Sequence, residues 1–554
     1  MTDDRQREHR HFFGAAKVVA AITLLSRVAG LVRDQAIVAL GATRATDAFW
    51  TAFSIPNLFR RLFGEGALSA AFVPVFTEVA ETRGWDRARL LLANVLGVLA
   101  LGLLGLGLLV GLGLLAVLAF APGQWDRQLL LQLTMVQLPF MVTVCLLAIA
   151  SAGLNCHGHF WYPAFAPILL NLCLIAAAAV VHWTFPPGST GGLFVLSAAV
   201  VTAGVVQLVG VMWLLRRTKL AAVPSVRPLL AETRRIASLA LPMMIPLGLS
   251  QFSALFDRLY AWFLTATEPG ETLEVLGWQF AKPLEPGVIT CLYAGARLQQ
   301  FPMGILAVSL ATAVFPLLSR YASRQDVAGL SRATNRAMRL AMFLGIPSGV
   351  ALIVLAEPSI SLIYGHGRFD ASDVARSSLI LRMYSVGMWA YFANHILLRA
   401  FFSQKDTMTP LKISLVLTVL NMLLVAVGVF SPLRGGAVGL ATAFTASVQA
   451  VTLAWVLRRR WGRIGLRRIA VSVARTVAAS GGMAAAVWGT YRYAGGLVSS
   501  FADPGGKPAV GLSLAAAIAV GMLTYLLAVV AMRCPELGEL LGKGDDEAAE
   551  NPSP

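Results

Sequence analysis

Charged side chains are scarce in this sequence: they make up 13% of its 554 residues, whereas hydrophobic residues make up 57%. The mean hydropathy of +0.71 lies well above that of an ordinary soluble domain. Apolar segments of about 20 residues recur along the whole chain, and the short alternating segments of a membrane barrel are lacking. The sequence therefore predicts an all-α integral membrane protein.

Cysteine is also scarce, and the spacing of the five cysteines shows no pairs. Four of them lie in or beside apolar segments, which favours inert packing over disulfide or redox chemistry. The run His157-Gly158-His159 has no nearby cysteine or carboxylate to complete a metal shell. We therefore expect no metal site and no cofactor. The cysteines are Cys145, Cys156, Cys173, Cys291 and Cys534.

The N-terminal residues 1–12 are polar, and no cleavage site follows a short apolar core, so no removable signal peptide is expected. Acidic residues number 28 against 45 basic ones. The basic residues concentrate in alternate loops: six at 216–235, five at 320–339 and six at 458–468. The positive-inside rule places these loops and both termini in the cytoplasm. The net charge of +17 therefore reflects topology and anionic lipids, with no nucleic-acid partner.

The apolar segments give fourteen predicted transmembrane helices. The first six lie near 16–41, 46–79, 88–120, 128–154, 160–183 and 192–215. The next six lie near 234–266, 288–318, 335–364, 374–402, 409–430 and 435–457, and two more lie near 467–492 and 509–532.

Two regions of the chain echo each other and predict a repeat of six helices. A polar loop, a proline and a deeper asparagine follow one another at 155–171 and again at 403–421. Such a repeat predicts two six-helix lobes around a central cavity, with two helices appended. The expected parts are a cytoplasmic N-terminus at 1–15, an N-lobe at 16–220, a C-lobe at 221–460, two tail helices within 461–533 and a disordered cytoplasmic tail at 534–554.

The first two spans carry more ionisable groups than a membrane helix normally holds. Each charge at bilayer depth costs roughly 2.5 to 3.5 kcal/mol, so such residues usually face a bundle interior. A structural salt-bridge network is one interpretation, but basic groups outnumber acids, and an uncompensated positive surplus is costly unless an anion shares it. Because arginine offers a planar donor fork suited to phosphate, we predict an anionic, phosphate-bearing substrate. The basic groups are Arg27, Arg33, Arg60, Arg61 and Arg297, and the acids are Asp34, Asp47 and Glu65.

Asp257 lies beside Arg258 in the seventh predicted span. The two side chains can form a self-neutralising pair near the outer surface, or Asp257 can hold a coupling cation. The pair is the simpler interpretation, and the cation site is kept as an alternative.

Several longer runs are specific enough to resemble a known family. They are SRVAGLVRD at 26–34, ATDAF at 45–49, PNLFRR at 56–61, FGEGALS at 63–69, FVP at 72–74, ARL at 296–298, FPMG at 301–304 and FP at 315–316. These runs closely resemble the MurJ (MviN) lipid II flippases of the multidrug/oligosaccharidyl-lipid/polysaccharide exporter superfamily. The fourteen-span layout extends the resemblance over nearly the whole chain.

The resemblance implies roles for individual residues. Four arginines would line the central cavity and engage the pyrophosphate of lipid II, and the last two helices would form a groove for the polyprenyl tail. Ala296 and Gln300 stand where relatives often have acids, which argues against a proton role for an acid there. The implied substrate-binding residues are Arg27, Arg33, Arg60 and Arg297, and the implied gating or structural residues are Ser26, Asp34, Asp47, Asn57 and Glu65.

The resemblance therefore implies a flippase of the bacterial inner membrane. It would move lipid II, an undecaprenyl-pyrophosphate-linked disaccharide-pentapeptide, from the cytoplasmic to the outer leaflet by alternating access. No covalent bond changes, so the chain is not expected to be an enzyme. The alternatives are an exporter of another anionic lipid-linked glycan and an ion-coupled drug antiporter, although the latter would need an acidic cavity. Membrane lipids and the cell-wall synthesis machinery are the other expected partners.

Overall fold

The computed structural model of the chain describes residues 2–64, 66–120, 123–186, 188–221, 223–268, 270–275, 278–462, 465–498 and 507–540. They form α-helices, two π-helical turns and one hairpin. The first helices are α1 (Thr2–Val38), α2 (Arg44–Phe59), α3 (Ala67–Phe120), α4 (Trp125–Cys156), α5 (Trp161–Thr184), α6 (Thr190–Arg217), α7 (Ala231–Leu264), α8 (Val288–Pro302) and α9 (Val308–Ser323). The remaining helices are α10 (Val327–Val354), α11 (Ala356–Tyr364), α12 (Ala371–Val386), α13 (Met388–Ser403), α14 (Met408–Gly428), α15 (Gly436–Trp461), α16 (Leu466–Val498), α17 (Lys507–Ala531) and α18 (Pro535–Leu540).

The chain divides into two compact units, Met1–Thr290 and Cys291–Pro554. This division falls later than the predicted lobe boundary at 220/221, because α7 packs against α2 and α3 of the first unit. The second unit accordingly starts within α8. The predicted lobes and the central cavity stay predictions.

The first unit is built on close packing among α1 to α7. Its core contains large apolar side chains, including the stacked rings of Phe72 and Phe76, whose centroids are 4.9 Å apart. A second aromatic group joins Phe53 of α2 to Phe140 of α4 at 6.3 Å. Lipid tails are as apolar as these side chains, so van der Waals packing and interhelical hydrogen bonds hold such helices together.

The helix α3 bends at Gly84, which separates the second predicted span from the third. Gly84 has φ +80°, a left-handed conformation that a residue without Cβ adopts at little cost. Helix α2 begins with a capping box, in which the Thr43 and Thr46 side chains each bond the other's backbone N–H. A π-helical turn, Arg60–Gly64, follows α2 directly.

The second unit packs α10 against α13 and α16, and α16 against α17. Its core includes Phe392 and Phe401 on α13. The tail helices α16 and α17 share a cluster with α10, where the Tyr525 hydroxyl donates to the carbonyl oxygen of Phe343 at 2.7 Å. A second π-helical turn, Met303–Ala307, joins α8 to α9.

The protein is an all-helical membrane protein, and ten of its described helical segments are long and apolar enough to cross a membrane. One of these, Arg44–Phe120, contains two of the predicted spans, joined through Gly84. Another predicted span, 374–402, is broken at Gly387 into α12 and α13 of 16 residues each. Each piece alone is shorter than the roughly 20 residues that a bilayer requires. The count of fourteen spans stays a prediction.

The loop between α7 and α8 contains a small hairpin that the sequence did not predict. Its strands β1 (Thr272–Val275) and β2 (Trp278–Ala281) pair antiparallel, with Thr272 opposite Ala281. At its base the Lys282 ammonium bonds the Glu271 carboxylate at 2.6 Å.

Candidate functional site

Arg33 and Asp34 form the centre of a polar cluster between α1 and α5. The Arg33 Nε and Nη2 atoms donate to Asp34 Oδ1 at 2.9 and 2.5 Å, and Asp34 is fully buried. Arg33 Nη1 donates to Asn171 Oδ1 at 3.0 Å, while Asn171 Nδ2 donates to the carbonyl oxygen of Ser26 at 3.1 Å. Asn171, which the sequence had indicated only as a repeat marker, therefore links two predicted site residues, Ser26 and Arg33, and Arg33 in turn bonds Asp34. The amide fixes the direction of the guanidinium.

Arg60 lies where α2 passes into the π-helical turn. Its Nε donates to Asn57 Oδ1 at 3.0 Å, so these two predicted residues are neighbours one helical turn apart. The next residue, Arg61, is exposed and donates to Gln251 of α7 at 2.9 Å. Helical π turns are rare and are frequent at functional sites. Arg297 precedes the other π turn by six residues in the second unit, so both parts of the predicted repeat pair an arginine with such a turn.

Arg27 and Arg297 differ from the other two arginines in their surroundings. Arg27 is exposed on α1, and among the described residues it has no hydrogen bond or ion pair. Arg297 is half-buried on α8 and belongs to the second unit. Its part in one site with the arginines of α1 and α2 stays a prediction.

Asp47 has a different kind of partner. It is fully buried in the first turn of α2. Its Oδ2 accepts the Gly287 backbone N–H at 2.8 Å, and its Oδ1 accepts the Thr290 N–H at 2.8 Å and the Thr290 hydroxyl at 2.9 Å. The carboxylate thus satisfies the unpaired N–H groups and the positive dipole at the start of α8.

The close approach at this junction depends on Gly287. Its φ is +87°, and a Cβ there would lie 2.1 Å from the carbonyl oxygen of Ala42. The turn before α2 therefore packs directly on the turn before α8. The gating or structural role that the resemblance implies for Asp47 stays a prediction.

The two acids of the predicted group that lie among the described residues have different kinds of partner. Asp34 pairs with Arg33, whereas Asp47 bonds backbone N–H groups and a hydroxyl and none of the four predicted arginines. Glu65, the third acid of that group, lies outside the described residues. The guanidinium groups of the predicted arginines can bind a phosphate or pyrophosphate through charge-assisted, bidentate hydrogen bonds.

Asp257 is half-buried on α7, and its Oδ1 has no hydrogen-bond partner among the described residues. A buried, unsatisfied carboxylate oxygen is costly and is a reasonable position for a cation or a proton. The cation role of Asp257 stays a prediction.

Arg44 and Asp126 form a buried cluster that sequence reasoning missed. The Arg44 Nε and Nη2 atoms lie 2.8 and 2.7 Å from Asp126 Oδ2, and Nη1 donates to the Trp262 carbonyl oxygen at 2.8 Å. The guanidinium carbon also lies 3.6 Å from the Trp262 ring centroid. This cluster ties the starts of α2 and α4 to the end of α7. No sequence signal marked it, since charges at helix starts are ordinary and their partners are distant in sequence.

Comparisons with known proteins agree with the sequence resemblance. The family described as lipid II flippase MurJ matches residues 37–503. A probable lipid II flippase MurJ of Vibrio cholerae serotype O1 is 31% identical over 423 residues, which cover 74% of this chain and 76% of the relative. The lipid II flippase MurJ of Burkholderia cenocepacia is 31% identical over 440 residues, which cover 77% and 80% respectively.

Two solved structures have the same fold. A lipid II flippase MurJ in an inward closed conformation matches with a TM-score of 0.72 at 22% identity, over 93% of this chain and 98% of that one. An inward-facing multidrug resistance MATE family transporter of the MOP superfamily matches with a TM-score of 0.63 at 15% identity, over 81% and 98%. At these identities the likeness shows the fold alone. The family match over residues 37–503, together with the two relatives at 31% identity, shows that the chain belongs to the MurJ lipid II flippase family.

Proposed function

We propose that this chain moves lipid II across the bacterial inner membrane, from the cytoplasmic to the outer leaflet. The observation that carries the proposal is the family match over residues 37–503, because the relatives are named for this activity. The chain is a multi-pass inner-membrane protein and a transporter, so binding and conformational change do the work and no covalent bond is made or broken. Alternating access would carry the pyrophosphate through the protein interior.

The arginines of α1 and the α2 end support recognition of a pyrophosphate. Arg27 is exposed and has no carboxylate partner among the described residues, so it can meet an anion without first breaking an ion pair. Arg33 is oriented by Asp34 and Asn171, and Arg60 by Asn57. Holding a guanidinium in place reduces the conformational entropy that binding would cost. We assign Arg297 the same role in the second unit.

An ion-coupled drug antiporter is less well supported. The MATE family transporter shares the fold at 15% identity, which carries no substrate information. A cationic drug would favour acids at the site, whereas the predicted site residues on α1 and at the end of α2 include three arginines. Export of another anionic lipid-linked glycan would use the same arginines and is distinguished by the experiment below.

We further propose that both termini face the cytoplasm and that α16 and α17 bind the polyprenyl tail. The basic loops at 216–235, 320–339 and 458–468 support the orientation. Cysteine accessibility tests it in a chain freed of its native thiols. Ser323→Cys should react only after permeabilisation and Glu268→Cys should react from outside, since both positions are exposed. The reverse pattern would invert the topology.

Flipping itself is tested by depleting the protein and measuring lipid II in each leaflet. Lipid II should accumulate in the inner leaflet on depletion and return to the outer leaflet when the wild-type chain is re-expressed. A chain truncated after residue 465 should not restore flipping if the tail helices hold the polyprenyl chain. Unchanged leaflet distribution on depletion, or accumulation of a different lipid-linked glycan, would contradict the assignment of lipid II. A role with the cell-wall synthesis machinery stays a prediction.

A further inference from the structure

Two helices of the chain carry the same pattern near their C-terminal ends. Helix α6 ends in Trp213-Leu-Leu-Arg216-Arg217, and α15 contains Trp455-Val-Leu-Arg458-Arg459 close to its end. These are the sixth and twelfth predicted spans, so the pattern recurs at the same place in each half of the predicted repeat. One copy belongs to the first unit and the other to the second.

The pattern places an apolar, an aromatic and a cationic group in a row along one face of each helix. Residues four apart share a helix face, and the valines one turn before the tryptophans complete the row. Val209 and Val451 are each 62% exposed, and the two tryptophans are 51% and 50% exposed. We call these two rows the Val-Trp-Arg stripes, made of Val209, Trp213 and Arg217 on α6 and of Val451, Trp455 and Arg459 on α15.

The arginines of the stripes stack on their tryptophans. The Arg217 guanidinium carbon lies 4.7 Å from the Trp213 ring centroid, and that of Arg459 lies 4.0 Å from the Trp455 centroid. Stacking orients the guanidinium plane but leaves its N–H edge available to an acceptor. Within the described part of the chain, neither arginine has a hydrogen bond or an ion pair, and the same holds for the adjacent Arg216 and Arg458.

A cavity of about 360 Å³ lies at the end of the α15 stripe. Its lining consists of Trp455, Arg458, Arg459 and Gly462, and so contains two cations and, among the described residues, no carboxylate. The third arginine of the run differs: Arg460 bonds Asp406 at 2.6 Å and Thr409 at 2.8 Å. One arginine of the run is therefore structural, and the two that line the cavity are available to a ligand.

We propose that each Val-Trp-Arg stripe binds an anionic membrane phospholipid through its phosphodiester headgroup. The arginines receive the phosphate, the tryptophan lies at the level of the membrane interface, and the exposed valine lies beside an acyl chain. Free phosphate shares the headgroup chemistry, but it would gain nothing from the aromatic and apolar parts of the stripe. The row of three matched groups therefore favours a lipid.

The test uses the purified full-length protein and native mass spectrometry during titration with phosphatidylglycerol, with phosphatidylcholine and with inorganic phosphate. The wild-type chain should retain phosphatidylglycerol at two sites and phosphatidylcholine far more weakly. Replacing the stripe arginine and its neighbour by glutamine, as Arg216 with Arg217 or Arg458 with Arg459, should remove one site, with a loss of about fivefold in affinity for each arginine. The variant with Arg216, Arg217, Arg458 and Arg459 all replaced should lose both.

A matched control distinguishes a specific lipid site from general attraction between positive charge and anionic lipid. Arg320→Gln with Arg324→Gln removes the same charge from an exposed end of α9 that carries no tryptophan, and should leave phosphatidylglycerol retention unchanged. An equal loss in this control would overturn the proposal, as would undiminished retention by the fourfold variant. Displacement of phosphatidylglycerol by millimolar inorganic phosphate would assign the arginines to a simple anion site and overturn the lipid assignment.

The tryptophan and Arg460 give two further readouts. Trp455→Leu keeps the apolar surface but loses the stacked ring, so phosphatidylglycerol should bind about two- to fivefold more weakly at that stripe. Arg460→Gln removes an arginine from the same run without touching the cavity, and should leave headgroup binding unchanged. Equal effects of Arg460→Gln and Arg459→Gln would contradict the division of the run into structural and ligand-binding arginines.

Discussion

Asp47 and Thr290 are joined by two hydrogen bonds, although 243 residues separate them in sequence. The Asp47 Oδ1 atom accepts the Thr290 backbone N–H at 2.8 Å and its hydroxyl at 2.9 Å, which places a buried carboxylate on the first turn of α8. A carboxylate at a helix N-terminus satisfies donors that the helix itself leaves unpaired. The start of α2 and the start of α8 are thus a single polar junction.

Asp47→Asn should weaken this junction. An amide presents a donor where the carboxylate presents an acceptor, so at least one backbone N–H loses its partner at a cost of about 1 to 3 kcal/mol. Hydrogen exchange of the Gly287 and Thr290 amides should accelerate accordingly. Ser54→Ala is the control, because among the described residues the Ser54 hydroxyl bonds within α2, to the Thr51 carbonyl oxygen. Unchanged exchange at both Gly287 and Thr290 in Asp47→Asn would show that the carboxylate does not hold the turn.

Arg44→Ala should destabilise the first unit strongly. It leaves Asp126 buried without its cation, and breaking such a pair typically costs about 3 to 5 kcal/mol. Arg44→Lys should be intermediate, since an ammonium keeps the charge but loses the fork and the stacking on Trp262. The stability of each variant to unfolding in detergent and the amount of protein in the membrane measure the effect. Arg127, which is exposed and follows Asp126 in sequence, offers the control Arg127→Ala. An Arg44→Ala variant as stable as the wild-type chain would refute the expectation.

Replacing each of the four predicted arginines should affect lipid II binding and the amount of protein in the membrane to different extents. Arg27→Ala should leave the membrane level normal and weaken lipid II binding about 10- to 150-fold, since it removes charge-assisted hydrogen bonds worth about 1.5 to 3 kcal/mol. Arg33→Ala should also lower the amount of protein in the membrane, because the buried Asp34 then loses its ion pair with the Arg33 guanidinium.

Arg60→Ala and Arg297→Ala should resemble Arg27→Ala, and lysine at any of the four positions should restore binding only in part. The exposed Arg234 on α7 provides the control Arg234→Ala. Normal levels with undiminished lipid II binding in the Arg27, Arg60 and Arg297 variants would remove these residues from the site.

Glu536→Gln should loosen the C-terminal helix α18 from α10. Glu536 is 1% exposed and bonds Arg339 Nη1 at 2.7 Å, while Glu539 bonds Nη2 at 2.7 Å. Removing the buried carboxylate leaves the Arg339 charge half compensated, so proteolysis should cut the C-terminal segment faster. Arg332→Ala is the control, because Arg332 lies on α10, as Arg339 does, but is exposed. Equal cleavage rates for Glu536→Gln and wild type would show that the ion pair does not fasten α18.

The β1–β2 hairpin should lose stability in acid. Burial alone would raise the pKa of the Glu271 carboxyl, but the Lys282 ammonium and the backbone N–H groups of Thr267 and Glu268 together hold it below its usual value. A carboxyl whose pKa is lowered by folding stabilises the folded form above its unfolded pKa, and that contribution is lost as the pH falls through the folded pKa.

Hydrogen exchange of residues 272–281, corrected for intrinsic rates, should therefore show lower protection at pH 3 than at pH 6. The variant Glu271→Gln should lack this dependence because it has no proton to gain. A hairpin whose protection is the same at both pH values in the wild-type chain would contradict the role of the Glu271–Lys282 pair.

The sequence by itself determined the class of the protein and the position of its helices. Hydropathy is a local property, so apolar runs predict helices wherever they occur, and each predicted span contains a described helix over most of its length. The motif at 26–34 and 45–66 was also local: the arginines and Asp47 were exceptional because charge in a membrane helix is costly, and the resemblance added Asn57.

The tertiary structure decided which partner each of these residues has. Asn171 turned out to hold both Arg33 and the Ser26 carbonyl oxygen, and Asp47 to bind backbone N–H groups at 287 and 290. Arg44 and Asp126 meet because the starts of α2 and α4 lie beside the end of α7, which no local sequence pattern shows. Hydropathy shows that a segment is a membrane helix. Which polar groups face each other is decided by the rotation and packing of the helices, which depend on residues far apart in the chain.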